Sequence, residues 1–235
     1  MTNLGFKKSN YIAQLKVLLL TFLITIIPFS VILIFLKYKA KVPTEYLTRD
    51  PSSILIAPFY LGFFSNIGIL FWCSSATICL FSYVLLRKDI RAKEYSSFFL
   101  FSGLLTSLLL FDDFFLIHES VFPDYLHINE KIVYAGYVVL VLIFFLKFKT
   151  ILKKTEFLIL LSALIFFGLS IVCDNIFPNI PAAIEDTLKL VGITTWFTYF
   201  TRICLQRVSR LLSLSLLERQ SLSSEVFSIR EKFPD

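Results

Sequence analysis

The chain lacks the short signatures that mark many soluble enzymes. It has no G-x-x-x-x-G-K-[ST] phosphate loop, no G-x-S-x-G elbow, no H-E-x-x-H zinc helix and no G-x-G-x-x-G dinucleotide turn. Those absences set aside the nucleotide-cradling loop, the elbow-mounted serine nucleophile and the zincin site. Charge is scarce as well: charged residues make up 17% of the chain, against about 25% in ordinary soluble domains. The four cysteines, Cys73, Cys79, Cys173 and Cys204, form no C-x-x-C pair. They lie in or at the ends of apolar runs, where a free thiol packs as a small apolar group, and their spacing defines no disulfide framework. Histidine is nearly missing. His118 and His127 stand nine apart, so the H-x-x-x-H pair of zinc-binding membrane hydrolases of the alkaline ceramidase type is not present.

What fills the chain instead is apolar. Residues of the apolar set make up 57% of 235 positions, and phenylalanine alone supplies 27. One soluble core of this size has no room for so many rings, whereas lipid solvates them. Six runs approach the length of about 20 residues that a helix needs to cross hydrocarbon. They are 17–36, with Pro28 inside; 63–86, preceded by an interfacial or re-entrant approach over 54–61; 96–122; 132–146; 157–172; and 187–204. The basic start before the first run (Lys7, Lys8, Lys16) resembles a signal peptide. The run is too long for one and no small-x-small cleavage site follows, so it is read as a retained helix. The fold class is therefore all-α: a polytopic membrane bundle of about six helices over residues 1–206, joined by short loops that favour antiparallel neighbours. Residues 207–235 read as a cytoplasmic amphipathic extension, with Leu211, Leu212, Leu214, Leu216 and Leu217 behind Arg207 and Arg210, ending in a loose tail beyond Gln220. Gly103, Gly136, Gly168 and Gly192 place one small residue in each of the last four runs, where helices can approach closely.

The net charge of +6 concerns orientation more than partners, because the charges fall between apolar runs. No nucleic-acid partner is expected. With the amino end in the cytoplasm and six crossings, 17 of the 23 basic residues face the cytoplasm, as the positive-inside rule requires. Both termini are then cytoplasmic and a cell membrane is the expected location. The first outer loop, with Lys37, Lys39, Lys41 and Arg49, is the exception.

Orientation exposes an opposite asymmetry. Asp112, Asp113, His118, Glu119, Asp124, His127, Glu130, Asp174, Glu185 and Asp186 all land on the outer side. Asp112 is the deepest. If the third run enters hydrocarbon near Ser97, Asp112 lies about 22 Å along it, roughly 7 Å short of the far boundary of a ~30 Å core. A carboxylate at that depth has to be paired, protonated or wet. Asp112 and Glu119, seven apart, share a helix face. Glu185 and Lys189, four apart, have the spacing of an intrahelical ion pair, and Asp186 competes for the same lysine.

Asp112, Asp113, His118 and Glu119 are thus candidate acid/base groups. Asp112, His118, Glu119, Asp174, Glu185 and Asp186 have the donor chemistry to bind a divalent metal, which would activate water against a lipid or lipid-linked substrate. The rival readings are a proton or cation relay, as in a transporter subunit, and a non-catalytic assembly protein whose acids merely face the headgroups. In the last case Glu185 and Asp186 suit the start of a helix, and Asp174 with Asn175 and Pro178 forms an ordinary turn.

Overall fold

A computed structural model of the chain describes residues 11–39, 41–176 and 181–232. Lys7, Lys8 and Pro178 lie outside the described residues. Among the described residues every regular element is helical. The eight α-helices are α1 (Tyr11–Tyr38), α2 (Thr44–Thr48), α3 (Pro51–Ile54), α4 (Phe63–Leu86), α5 (Lys93–Phe115), α6 (Glu130–Leu152), α7 (Phe157–Ile176) and α8 (Ala182–Lys232). A 3₁₀ turn, Ile90–Ala92, leads into α5, and a π-helical segment, Ile117–Tyr125, follows it. Among these residues five helices are long and apolar enough to span a membrane: Gln14–Tyr38, Phe63–Leu86, Ile90–Phe115, Glu130–Leu152 and Phe157–Asp174. The chain is an all-α membrane protein.

It divides into two compact units, residues 1–61 and 62–235. The first holds α1, α2 and α3. Helix α1 is apolar on every side and continues through Pro28, as suits a helix surrounded by lipid. Asp50 caps α3, accepting the Ser52 N–H at 2.8 Å, with Pro51 in the first turn.

The second unit is a bundle of α4 to α8. Helix α4 packs along both α5 and α8, and α7 packs along α8. The core is largely aromatic, with Trp72, Phe98, Phe99, Phe144, Phe148, Trp196, Tyr199 and Phe200 all buried. Trp72 meets Trp196 edge-on at 5.8 Å and stacks on Phe167 at 5.6 Å. The start of α8 does not reach the apolarity of the five spanning helices, and its neighbours explain this. Ile193, Trp196, Tyr199, Phe200 and Ile203 are at most 2% exposed, so protein, not lipid, solvates this stretch. Its threonines bond back to their own helix, as Thr195 does to the Val191 carbonyl at 2.7 Å.

Of the four glycines in α5 to α8, two are close-approach points. A Cβ on Gly103 would fall 2.7 Å from the Leu80 side chain, and one on Gly192 would fall 2.7 Å from the Phe167 ring. Gly136 and Gly168 face open space. Helix α8 does not stop at the end of the sixth apolar run or at Gln220: it is helical to Lys232. Near one end of the bundle Arg202 grips Glu156 with two bonds of 2.5 and 2.6 Å, and Arg207 stacks on Tyr95.

Candidate functional site

The third apolar run is not one helix. Helix α5 ends at Phe115, and Leu116 takes a left-handed conformation, φ 51° and ψ 43°. For a leucine this costs about 1–2 kcal/mol. Its N–H still bonds back to the Asp112 carbonyl, and the chain then winds as the nine-residue π-helical segment. The seven-residue spacing of Asp112 and Glu119 therefore does not place them on one face of a continuous helix. The break folds His118 back onto Asp112.

A helix break strands backbone N–H groups, and Asp112 fills that need. One of its carboxylate oxygens accepts the His118 N–H at 3.0 Å and the Tyr137 hydroxyl at 2.6 Å. The other faces His118 Nδ1 at 2.5 Å. Tyr137 comes from α6, whose first turn is fixed by Asn129 accepting the Lys131 N–H at 2.9 Å. Three donors thus surround a carboxylate that is 5% exposed, which meets the cost of burying it.

His118 is equally buried, with its ring 5.1 Å from that of Tyr134. Its Nε2 lies 3.4 Å from Glu119 and 4.0 Å from Glu130. Carboxylates therefore face both ring nitrogens. Burial alone would lower the imidazole pKa, but Asp112 and Glu119 outweigh it and push the value up to about 9. The ring is an imidazolium at neutral pH. Glu119 is held below its ordinary range, chiefly by His118, against its own partial burial and with help from Lys189.

Asp113 is buried beside this group and pairs with Lys189 of α8 at 2.5 Å. Lys189 thus reaches across the bundle, and the intrahelical pair with Glu185 is not the one that forms. Asp186, Gly68 and Ser65 line a small cavity of about 40 Å³ at the pair, large enough for a water or two. Glu185 is held above its ordinary range, first by burial and then by Asp174 and Asp186, so these three acids share one neighbourhood. Asp174 itself is exposed, as are Asp124 in the π-helical segment and His127 in the loop after it.

The candidate residues therefore gather at one end of the bundle, but as an ion-pair network. Among the described residues no three of His, Cys, Asp or Glu form a group that could hold a metal ion. The ligand set Asp112, His118, Glu119, Asp174, Glu185 and Asp186 therefore finds no support in this geometry.

Sequence reasoning missed Tyr137, and Tyr134 beside His118. A signal was present, because Glu130, Tyr134 and Tyr137 recur at i, i+4 and i+7 on one face of α6. The Asp113–Lys189 pair spans 76 residues and had no local signature.

Toward the opposite end of the bundle the buried polar side chains are uncharged, as with Ser102, Ser82 and Ser96. Trp196 Nε1 donates to Thr106 at 3.1 Å, about 9 Å along α5 from Asp112. Phe98, Phe99, Phe144, Phe148 and Phe200 fill the space beyond.

These features define a class: a multi-pass helical membrane protein with a carboxylate–histidine network at one end of its bundle. The chain belongs to the family described as Domain of unknown function (DUF8692), whose family model matches residues 17–203. No curated protein and no solved structure matches it.

Proposed function

We propose that the chain crosses the cell membrane six times with both ends in the cytoplasm, and that its outward end is an acid–base site working on a membrane-borne substrate. The first half of α8 supplies the sixth crossing. The orientation rests on the opposed charges of the two ends. Arg87, Lys88, Arg91, Lys93, Lys147, Lys149, Lys153 and Lys154 gather where α5 starts and α6 ends. The acids gather where α5 ends and α6 starts, and the positive-inside rule puts the basic end in the cytoplasm.

The observation that carries the acid–base reading is the chain Asp112–His118–Glu119. It runs from a buried carboxylate, through an imidazolium, to a carboxylate that is 47% exposed. Tyr137 and the His118 N–H hold Asp112, and Asp112 holds the ring. Nε2 then carries a proton toward the exposed side. A substrate group that displaces Glu119 removes one of the two carboxylates raising the ring's pKa and brings it closer to neutrality, where a general acid works best. The Lys189 ammonium beside Asp113 supplies a fixed positive charge. The aromatic layer beyond Thr106 supports a one-sided site over a relay running across the membrane.

A second reading has an observation of its own. Asp112, Asp113, His118 and Lys189 all have ionic partners within the network. Such a network also serves as a clasp tying α5, α6 and α8 together, in a protein that assembles with others and catalyses nothing.

Lipid mass spectrometry separates the two. Membranes holding the wild-type chain should contain a lipid product that membranes holding His118→Gln or Asp112→Asn lack, with variants that still purify as folded, monodisperse protein. Identical lipid profiles from folded variants would overturn the acid–base reading. Loss of folding in both variants, with the wild-type profile equal to that of empty membranes, would favour the clasp.

A further inference from the structure

At the end of the bundle opposite the acids, a groove of about 410 Å³ lies between the start of α5 and the end of α6, above the contacts of Phe148 with Phe98 and Phe101. That volume is in the range of small-molecule sites. Its rim is polar, with Lys93 and Ser97 from α5 and Lys147 and Thr150 from α6. Its floor is apolar, made by the buried Phe148 and Ile151. One carboxylate, Glu94, also lines it.

The two lysines are poorly occupied. The Lys147 ammonium rests 3.3 Å over the face of the Phe101 ring, and among the described residues neither lysine forms an ion pair. A cation on an exposed ring gains about 0.5–1 kcal/mol, less than a charge-assisted bond to an anion provides. Two other cations on this end are paired, Arg91 with Asp89 and Arg202 with Glu156.

We infer that this groove is a binding site for an anionic phospholipid, with the phosphate between Lys93 and Lys147, the rim hydroxyls of Ser97 and Thr150 on the headgroup, and the acyl chains lying on the apolar faces of α5 and α6. Both lysines stand at the ends of spanning helices, at headgroup depth, with hydrocarbon-facing residues such as Leu104 and Phe101 further along α5. A basic cleft between helices at that depth matches the charge of the headgroup on one side and its chains on the other. A small soluble anion would use the lysines and leave the apolar floor idle, so the shape favours the lipid. The inference concerns the opposite end of the bundle from the acid–base site and does not depend on that site being catalytic.

The test is competitive binding by native mass spectrometry of the whole chain in detergent micelles, with phosphatidylglycerol and phosphatidylcholine of equal chain length. Each lysine near an anionic headgroup contributes about 1 kcal/mol, a factor of about five. Wild type should prefer phosphatidylglycerol by roughly tenfold or more, less than the two lysines' full product because Glu94 opposes them. Lys93→Gln with Lys147→Gln should erase the preference, and Glu94→Gln should sharpen it. The charge-matched pair Lys149→Gln with Lys153→Gln, outside the groove, should leave it unchanged. All these side chains are exposed, so the variants fold. Equal retention of the two lipids by wild type, or a preference that survives loss of both groove lysines, would overturn the inference. Displacement of phosphatidylglycerol by millimolar inorganic phosphate would also overturn it, by showing a site for the free anion.

Discussion

Raising the pH should loosen the acid-bearing end of this bundle, and His118 sets the size of the effect. An unfolded histidine titrates near 6.5, and in the folded chain His118 titrates near 9. Between those values the folded protein holds one proton more than the unfolded one, so stability falls with pH at about 1.4 kcal/mol per pH unit. The stabilisation is complete below pH 6.5, declines through the interval and is gone above pH 9, for a total of about 3 kcal/mol. The ring is 6% exposed, so solvent screens little of this. The assay is unfolding by SDS in mixed micelles across pH 6 to 10, paired with ¹⁵N NMR of the imidazole rings. With two histidines in the chain, His127 serves as the exposed reference. Asp112→Asn removes the stronger partner while burial remains, so the ring should titrate well below 9 and the slope should flatten. A wild-type ring that titrates near 6.5, or a stability that stays level from pH 6.5 to 9, would refute the reasoning.

Other perturbations should follow from the same contacts. Lys189→Met leaves Asp113 buried and unpaired and should cost near the low end of about 3–5 kcal/mol, because Lys189 is 35% exposed; adding Asp113→Leu should recover most of the loss. Gly103→Ala, whose new methyl meets Leu80, should lower thermal stability by about 1–3 kcal/mol, while Gly136→Ala, facing open space, should hold or gain up to about 1 kcal/mol. Leu116→Gly should raise stability by about 1 kcal/mol by relieving the left-handed backbone, since that side chain is 46% exposed and packs little.

The parts of the fold legible in the sequence were those written locally. Helix α4 begins where Pro58 and Gly62 end the preceding stretch, and the run read as 63–86 is the helix Phe63–Leu86. Apolar length alone located α5, α6 and α7, with α6 extending further at both ends because Asn129 caps it and its last turns are amphipathic. The break at Leu116 carries no glycine or proline to announce it. It forms because Asp112, Tyr137 and the His118 N–H bond one another, a tertiary arrangement that overrides the leucine's own preference. For the same reason the gathering of acids was readable while their partners were not. The i, i+4 rule pointed Lys189 at Glu185, and only packing of α8 against the rest of the bundle brings it to Asp113. The expectation that Asp112 needs a partner has its counterpart in the three donors around the buried carboxylate.

The arrangement of the two ends on opposite sides of a membrane underlies every functional statement made about the chain, and labelling tests it directly. In a variant with Cys73, Cys79, Cys173 and Cys204 replaced by alanine, Asp124→Cys should react with an impermeant maleimide applied to intact cells. Arg91→Cys should react only after the membrane is opened. Reaction of both from the same side would contradict the account.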